Sequence, residues 1–244
     1  MLMVYQWLKN IQNFVLPPSC LLCGARGLAP LDLCAACCSE LPRNLHACAG
    51  CAEPLPPGAP PGSLCGRCQR KPPVFARAFA PYLYAWPLDG LIQQLKFGHQ
   101  LAAARSLGSL LAERLQQRGG PWPELLLPVP LHPRRLAERG YNQATELARP
   151  LARHLGLPLR ELAARARATA RQSDLPYRER RRNVAGAFIL RESITARHVA
   201  VVDDVLTTGH TVSALTSALH LAGVETVEVW ALARTAPPGW MSAD

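Results

Sequence analysis

The stretch AVVDDVLTTGHTV, residues 200–212, places two adjacent carboxylates, Asp203 and Asp204, at the end of an apolar run. Two threonines, a glycine, a histidine and a third threonine follow. The apolar run predicts a buried strand over 198–202, with the chain leaving it after Val205, and the spacing beyond predicts a helix over 211–222. Between the two, the backbone N–H groups of residues 207–211 would gather at the positive end of the helix dipole. That arrangement suits an anion, and a phosphate best. Gly209 permits the backbone angles of such a turn, and the hydroxyls of Thr207, Thr208 and Thr211 add donors. Asp203 and Asp204 repel phosphate, so they are assigned to what is attached to it: the two free hydroxyls of a ribose, or the water shell of a Mg²⁺ ion. A capped strand–turn–helix without a ligand would also use a threonine here, but it gives no reason for two neighbouring carboxylates.

The rest of the second half alternates in the same way. Strands are predicted over 78–85, 125–129, 187–190 and 227–232, and helices over 88–96 and 101–117. A third helix is predicted over 135–155, with Leu136, Leu147, Leu151 and Leu155 on one side. Strands alternating with helices imply an α/β fold with a parallel sheet flanked by helices on both faces. In such sheets ligands sit at the carboxyl ends of the strands, which is where the opening stretch lies.

All nine cysteines fall before residue 69 of the 244. Eight form four C-x-x-C pairs, Cys20/Cys23, Cys34/Cys37, Cys48/Cys51 and Cys65/Cys68, and Cys38 is left over. Two such turns complete a tetrahedral Cys₄ site, so four suit two structural zinc ions. The spacing allows a sequential assignment, Cys20, Cys23, Cys34 and Cys37 for one ion and Cys48, Cys51, Cys65 and Cys68 for the other, or a cross-braced one. Residues 17–72 are rich in proline and, leucine apart, hold no large aliphatic side chain, so metal must supply much of their stability. The expected organisation is an amphipathic helix over 1–16, a double zinc ribbon over 17–72, a proline-stiffened linker over 70–77 and an α/β domain over 75–244.

The N-terminus lacks the pattern of a secretion signal, and no apolar run reaches the length of a membrane span. A cytoplasmic location with reduced thiols is therefore expected. The chain carries 27 basic and 17 acidic residues, net +10. Only 3 of the basic residues are lysine and 24 are arginine, the side chain that grips phosphate through two parallel hydrogen bonds. Residues 1–70 hold 5 basic and 3 acidic groups and residues 71–244 hold 22 and 14, so an anion is expected on the second part.

VVDDVLTTGHT resembles the phosphoribosyl pyrophosphate (PRPP) loop of type I phosphoribosyltransferases. Taken with the four C-x-x-C pairs, LKFG at 95–98, PVPLHPRRLAERGYNQ at 128–143 and QSDLPYRERRRNVAGAF at 172–188, in that order, the chain is identified as a member of the ComF family of competence proteins, related to the GntX proteins. The resemblance implies a type I phosphoribosyltransferase-like sheet preceded by a double zinc ribbon. It implies that Asp203 and Asp204 contact ribose hydroxyls and that Thr207, Thr208, Gly209 and Thr211 hold the 5-phosphate. Loop 131–135 would meet pyrophosphate, with Arg134 and Arg135 as the candidates. It also implies a role in uptake of single-stranded DNA during natural transformation, or in using DNA as a nutrient, with a DNA-uptake helicase at the membrane as a partner.

Eight arginines lie between 160 and 182, offset by Glu161, Asp174 and Glu179. By position, Arg171, Arg178, Arg180, Arg181 and Arg182 belong to the flexible catalytic loop of phosphoribosyltransferases and would neutralise pyrophosphate. By charge, they would track a nucleic-acid backbone, with Tyr177 or Tyr141 stacking on bases, or form a solvated basic loop. No segment reads as a hood for an acceptor base. Three functions therefore follow: a DNA-handling protein that also binds PRPP or a nucleotide, a Mg²⁺-dependent phosphoribosyltransferase with an unknown acceptor, or a PRPP sensor without turnover.

Overall fold

A computed structural model describes residues 18–29, 31–98, 100–165, 187–237 and 239–240. The helix expected over 1–16 lies outside the described residues, as does the arginine segment from 166 to 186.

The cysteine-rich part contributes two short helices, α1 (Ala35–Ser39) and α2 (Gly66–Arg70). Then follow β1 (Arg77–Phe79), β2 (Tyr82–Leu83), α3 (Leu88–Phe97), α4 (Leu101–Arg118), β3 (Leu125–Pro128), α5 (Pro133–Arg139) and α6 (Gln143–Leu155). The chain ends with β4 (Ala163–Arg165), β5 (Phe188–Leu190), β6 (His198–Leu206), α7 (His210–Leu221) and β7 (Thr226–Arg234). The main sheet runs β1-β7-β6-β3, and β2 pairs further along β7. Every pairing in it is parallel.

Alternation along the strands divides the core. Leu126, Ala200, Val202, Trp230 and Leu232 pack with leucines of α3, α4 and α6. Leu127, Val199, Val201, Val227 and Val229 pack with Val212, Leu215 and Leu219 of α7. With both faces covered, β6 and β7 read as continuous apolar runs, as parallel strands must.

Three expectations are corrected. The strand foreseen over 78–85 is two strands, because Pro81 between them cannot donate to the ladder. The helix foreseen over 135–155 is two. Gly140 takes a left-handed φ of 79° and closes α5, and Asn142 caps α6 by accepting a hydrogen bond from the Ala144 amide at 3.2 Å. Leu136 is consequently exposed rather than aligned with Leu147 and Leu151. β5 leaves the main sheet and pairs antiparallel with β4.

The cysteine-rich segment is stitched to the open edge of the sheet. The Ala78 amide donates to the Gly50 carbonyl at 2.9 Å, the Leu83 amide to Pro42 at 2.8 Å and the Asn44 amide to Pro81 at 2.9 Å. Asn44 Nδ2 adds bonds to the Ala52 and Ala80 carbonyls at 2.8 and 3.0 Å. Such cover removes an exposed strand edge, a common route to aggregation.

At the amino ends of the strands, Glu228 is buried among cations. Arg77 donates to it at 2.8 Å, Arg118 at 2.9 Å and Trp230 Nε1 at 3.0 Å, and His198 Nε2 lies 3.2 Å away. Burial alone would raise its pKa, but the bonds from Arg77, Trp230 and Arg118 pull it down to about 2. A carboxyl depressed in the folded state adds stability above its unfolded value, near 4.5, and loses it as pH falls towards 2. A shift of that size corresponds to roughly 3 kcal/mol. Glu228→Gln should therefore cost stability at pH 7 and flatten the decline below pH 5 in denaturant titrations. Equal pH slopes for variant and parent would overturn this reading of the cluster.

Candidate functional site

β6 carries Asp203 and Asp204 at its carboxyl end, and β3 delivers loop 129–132 beside them. A cleft of about 570 Å³ opens there. It is lined by Asp203, Asp204, Thr211, Arg135, Lys96 and Phe97, with Arg139 and Arg165 further along. Four cations (Lys96, Arg135, Arg139 and Arg165) face three acids (Asp203, Asp204 and Glu138) in the lining.

The two carboxylates differ. Asp204 is buried and its Oδ2 lies 2.6 Å from Lys96 Nζ. Asp203 Oδ1 accepts the Asp204 amide at 2.9 Å. Burial first, and the Asp204 carboxylate second, push the Asp203 carboxyl above its usual range. The pair thus joins one ion-paired carboxylate to one whose charged form is disfavoured until hydrogen-bond donors or a cation meet it.

Next to it, Gly209 takes a left-handed φ of 80° and stands at the N-cap of α7 without a side-chain cap bond. Among the described residues, no backbone carbonyl accepts the N–H of Thr207, Thr208 or Gly209. These donors and the first turn of α7 lie where the sequence placed a turn suited to an anion. Thr211 lies on the cleft, whereas Thr208 and Gly209 border a separate, smaller groove with Cys51, Cys68 and Lys71.

The two candidate arginines separate. Arg135 lines the cleft, while Arg134 turns outward and pairs with Glu138 at 2.9 Å, its side chain 83% exposed. Tyr141 is not placed as a free stacking platform, because its hydroxyl donates to the Leu95 carbonyl and its ring packs on the core. Arg171, Arg178, Arg180, Arg181, Arg182 and Tyr177 lie outside the described residues. Lys96, Phe97 and Arg139 were not singled out from the sequence as site residues. Lys96 and Phe97 fall in the LKFG motif and Arg139 in LAERGYNQ, and those motifs were the available signal.

The cysteines gather in two groups: Cys20, Cys23, Cys34 and Cys37, and Cys48, Cys51, Cys65 and Cys68. Within each, all sulfur atoms lie within 4.8 Å of one another. The grouping is sequential, not cross-braced. Cys23 and Cys34 sulfurs are 3.7 Å apart, as are those of Cys51 and Cys65. A tetrahedral ion with bonds of about 2.3 Å sets sulfur pairs about 3.8 Å apart, whereas a disulfide needs about 2 Å. The Cys65 amide donates to Cys48 Sγ at 3.2 Å, and the Cys37 amide to Cys34 Sγ at 3.4 Å. Burial pushes the Cys48 thiol up, but amides of Cys65, Cys51 and Gly50 pull it down to about 7. Likewise, amides of Cys34, Cys23 and Leu22 outweigh burial at Cys20 and bring it to about 6. Cys37 is pushed up by Cys34, and Cys65 and Cys68 are pushed up by burial, Cys65 to about 11, so it is the sulfur geometry that fits these donor sets to structural zinc. Cys38 stands outside both groups.

Two curated relatives match nearly the whole chain. DNA utilization protein YhgH of Salmonella typhi is 38% identical over 226 residues, 90% of this chain and 98% of its own. Competence protein F of Haemophilus influenzae is 35% identical over 238 residues, 93% of this chain and 100% of its own. The chain belongs to their family. Its residues 11–69 match the double zinc ribbon domain, and residues 142–239 match the phosphoribosyl transferase domain. Among solved structures, the allosteric regulatory enzyme of purine biosynthesis overlaps 57% of this chain and 27% of its own, at 21% identity and a TM-score of 0.36, a likeness too slight to weigh. No helix among the described residues is long and apolar enough to cross a membrane.

Two zinc ions per chain are expected on metal analysis of the purified protein, with all nine cysteines reduced. Cys51→Ser should remove about one ion and unfold the second ribbon while the first keeps its own. One ion or none in the parent, with disulfides by mass spectrometry, would rule out the zinc reading.

Proposed function

We propose that this cleft binds PRPP, or a related ribose 5-phosphate, and that the protein acts in cytoplasmic handling of single-stranded DNA during DNA uptake or utilisation. The observation that carries the first half is the junction of β6 and α7. There a run of amides at Thr207, Thr208 and Gly209, with no backbone acceptor among the described residues, follows directly on the strand end that carries Asp203 and Asp204. In this reading the amides and Thr211 take the 5-phosphate, and the carboxylates accept the 2′ and 3′ hydroxyls. Arg135, across the cleft, faces the pyrophosphate. Mg²⁺, when bound, offsets the charge of the pyrophosphate, and Asp203 and Asp204 are the residues that would hold its water shell. The role in DNA handling rests on family membership, and the names of both relatives point the same way. The excess of arginine supports a polyanion as partner.

PRPP with Mg²⁺ should raise the melting temperature. At a hundredfold excess over Kd, ligand binding adds about 2.7 kcal/mol, or roughly 5–10 °C for a chain of this size. Asp203→Asn combined with Asp204→Asn should abolish the shift. A double variant that responds like the parent would show that the carboxylates are not the ribose contacts.

Single-stranded DNA should bind with an affinity that falls steeply with salt, by about 0.7 log units per phosphate neutralised. Replacing Arg178, Arg180, Arg181 and Arg182 by alanine should flatten that slope by roughly 3 if each meets a phosphate. Loss of PRPP binding with an unchanged DNA slope would assign these arginines to pyrophosphate instead. A parent that binds no single strand at low salt would refute direct DNA contact.

A further inference from the structure

One buried arginine joins the second cysteine group to the phosphate loop. Arg234 ends β7 directly across from Leu206, and its side chain is 4% exposed. Its Nε donates to the Cys51 carbonyl at 3.2 Å. Its Nη1 donates to the carbonyls of Leu206 and Thr235, both at 2.9 Å, to the Thr235 hydroxyl at 3.1 Å, and to the Thr207 carbonyl. Its Nη2 reaches Glu53 at 3.4 Å. Arg67 holds the same Glu53 oxygen at 2.8 Å and lies 3.9 Å from Cys51 Sγ.

All three nitrogens of the guanidinium are therefore engaged, on one side by the ribbon and on the other by two consecutive carbonyls where the loop begins. A buried cation is costly unless paired and hydrogen-bonded, and a strand end needs none. The consequence for the loop follows from peptide geometry. In a planar trans peptide the C=O and the next N–H point in opposite directions. Holding the carbonyls of Leu206 and Thr207 against Arg234 fixes the N–H groups of Thr207 and Thr208 on the far side. Those are donors with no backbone acceptor among the described residues.

We propose that Arg234 is a positioning residue that sets the phosphate loop from the second cysteine group. Metal retention by Cys48, Cys51, Cys65 and Cys68 and phosphate binding at Thr207 to Thr211 then favour each other. The proposal rests on the loop being a phosphate site and adds that the second ribbon is part of that site. Thermodynamic reciprocity requires that a ligand which gains from the fixed loop also tightens binding of the metal, so that less of the second group stands metal-free and open to alkylation. The first group is an internal control. Cys20 packs in the other apolar cluster, with α3 and α4, and that ribbon is tied by Asp32 to Arg105.

The test uses the full-length, zinc-loaded protein with a zinc-selective chelator and a thiol-alkylating reagent. Peptide mass spectrometry separates alkylation of Cys48, Cys51, Cys65 and Cys68 from that of Cys20, Cys23, Cys34 and Cys37. PRPP with Mg²⁺ should slow alkylation of the second group about 5- to 10-fold and leave the first unchanged. Arg234→Gln should lose that protection. Glu53→Gln, which keeps the guanidinium and loosens only the ribbon side, should lose part of it should Arg234→Gln fail to fold. If PRPP raises the melting temperature but protects both groups equally, or neither, the coupling is overturned and phosphate binding stands. If PRPP gives no thermal shift, phosphate binding fails, and the tie is read without ligand by hydrogen exchange. The Tyr84 and Thr235 amides bond to the carbonyls of Arg234 and Leu206. Their exchange should speed about fivefold or more on loss of the second metal, and unchanged exchange overturns the tie.

Discussion

β6 is paired in parallel on both sides and covered on both faces, and the other parts of the molecule take their places from that burial. A strand so enclosed tolerates polar side chains only where the layers end. The chain places Asp203 and Asp204 there, one against Lys96 and the other at the cleft. The same strand exit leaves loop amides without partners, because the ladder has stopped and α7 has only begun. The acidic pair and the loop amides thus come together where the sheet terminates.

The cysteine-rich segment is bound to the sheet by more than a linker. Its backbone pairs with β1 and β2, so it serves as the missing neighbour of an edge. Its two cysteine groups meet opposite layers of the core, the first beside the helices of α3 and α4, the second beside α7. Its buried leucines, Leu33 and Leu41, pack into the core shared with the sheet and its helices, so the ribbon has little core of its own. Joined in this way, its cysteine turns and the end of the sheet are tied together, and Arg234 bonds to both the Cys51 carbonyl and the Leu206 carbonyl.

The cleft draws its charge from four separate parts of the chain: Lys96 from α3, Arg135 and Arg139 from α5, Arg165 from β4, and the carboxylates from β6. Phe97, 73% exposed beneath the Arg139 guanidinium at 5.2 Å, adds an aromatic wall. Cations and acids nearly balance in this lining, so the net charge of the chain must lie mostly elsewhere on its surface.

The sequence alone determined the α/β alternation, the strand–loop–helix at 198–222 and the four C-x-x-C pairs. Each is a local pattern: an apolar run, a helix start after glycine, a C-x-x-C turn. It also placed Asp203, Asp204 and Thr211 at the cleft, because a strand end fixes its own neighbours. Tertiary structure decided the rest. It chose sequential over cross-braced cysteine groups, since the spacing permits both and only the folded turns bring sulfurs together. It set Arg135 on the cleft and Arg134 outward against Glu138, since neighbouring helix positions point about 100° apart. It brought Lys96 to Asp204 across 108 positions of sequence. It buried Arg234, whose place at the end of VEVWALAR suggests solvent, because the ribbon folds back over that edge and supplies the Cys51 carbonyl and the Glu53 carboxylate. Contacts between distant segments leave no periodic mark in the chain, so a charged residue at a strand end reads the same whether water or another domain covers it.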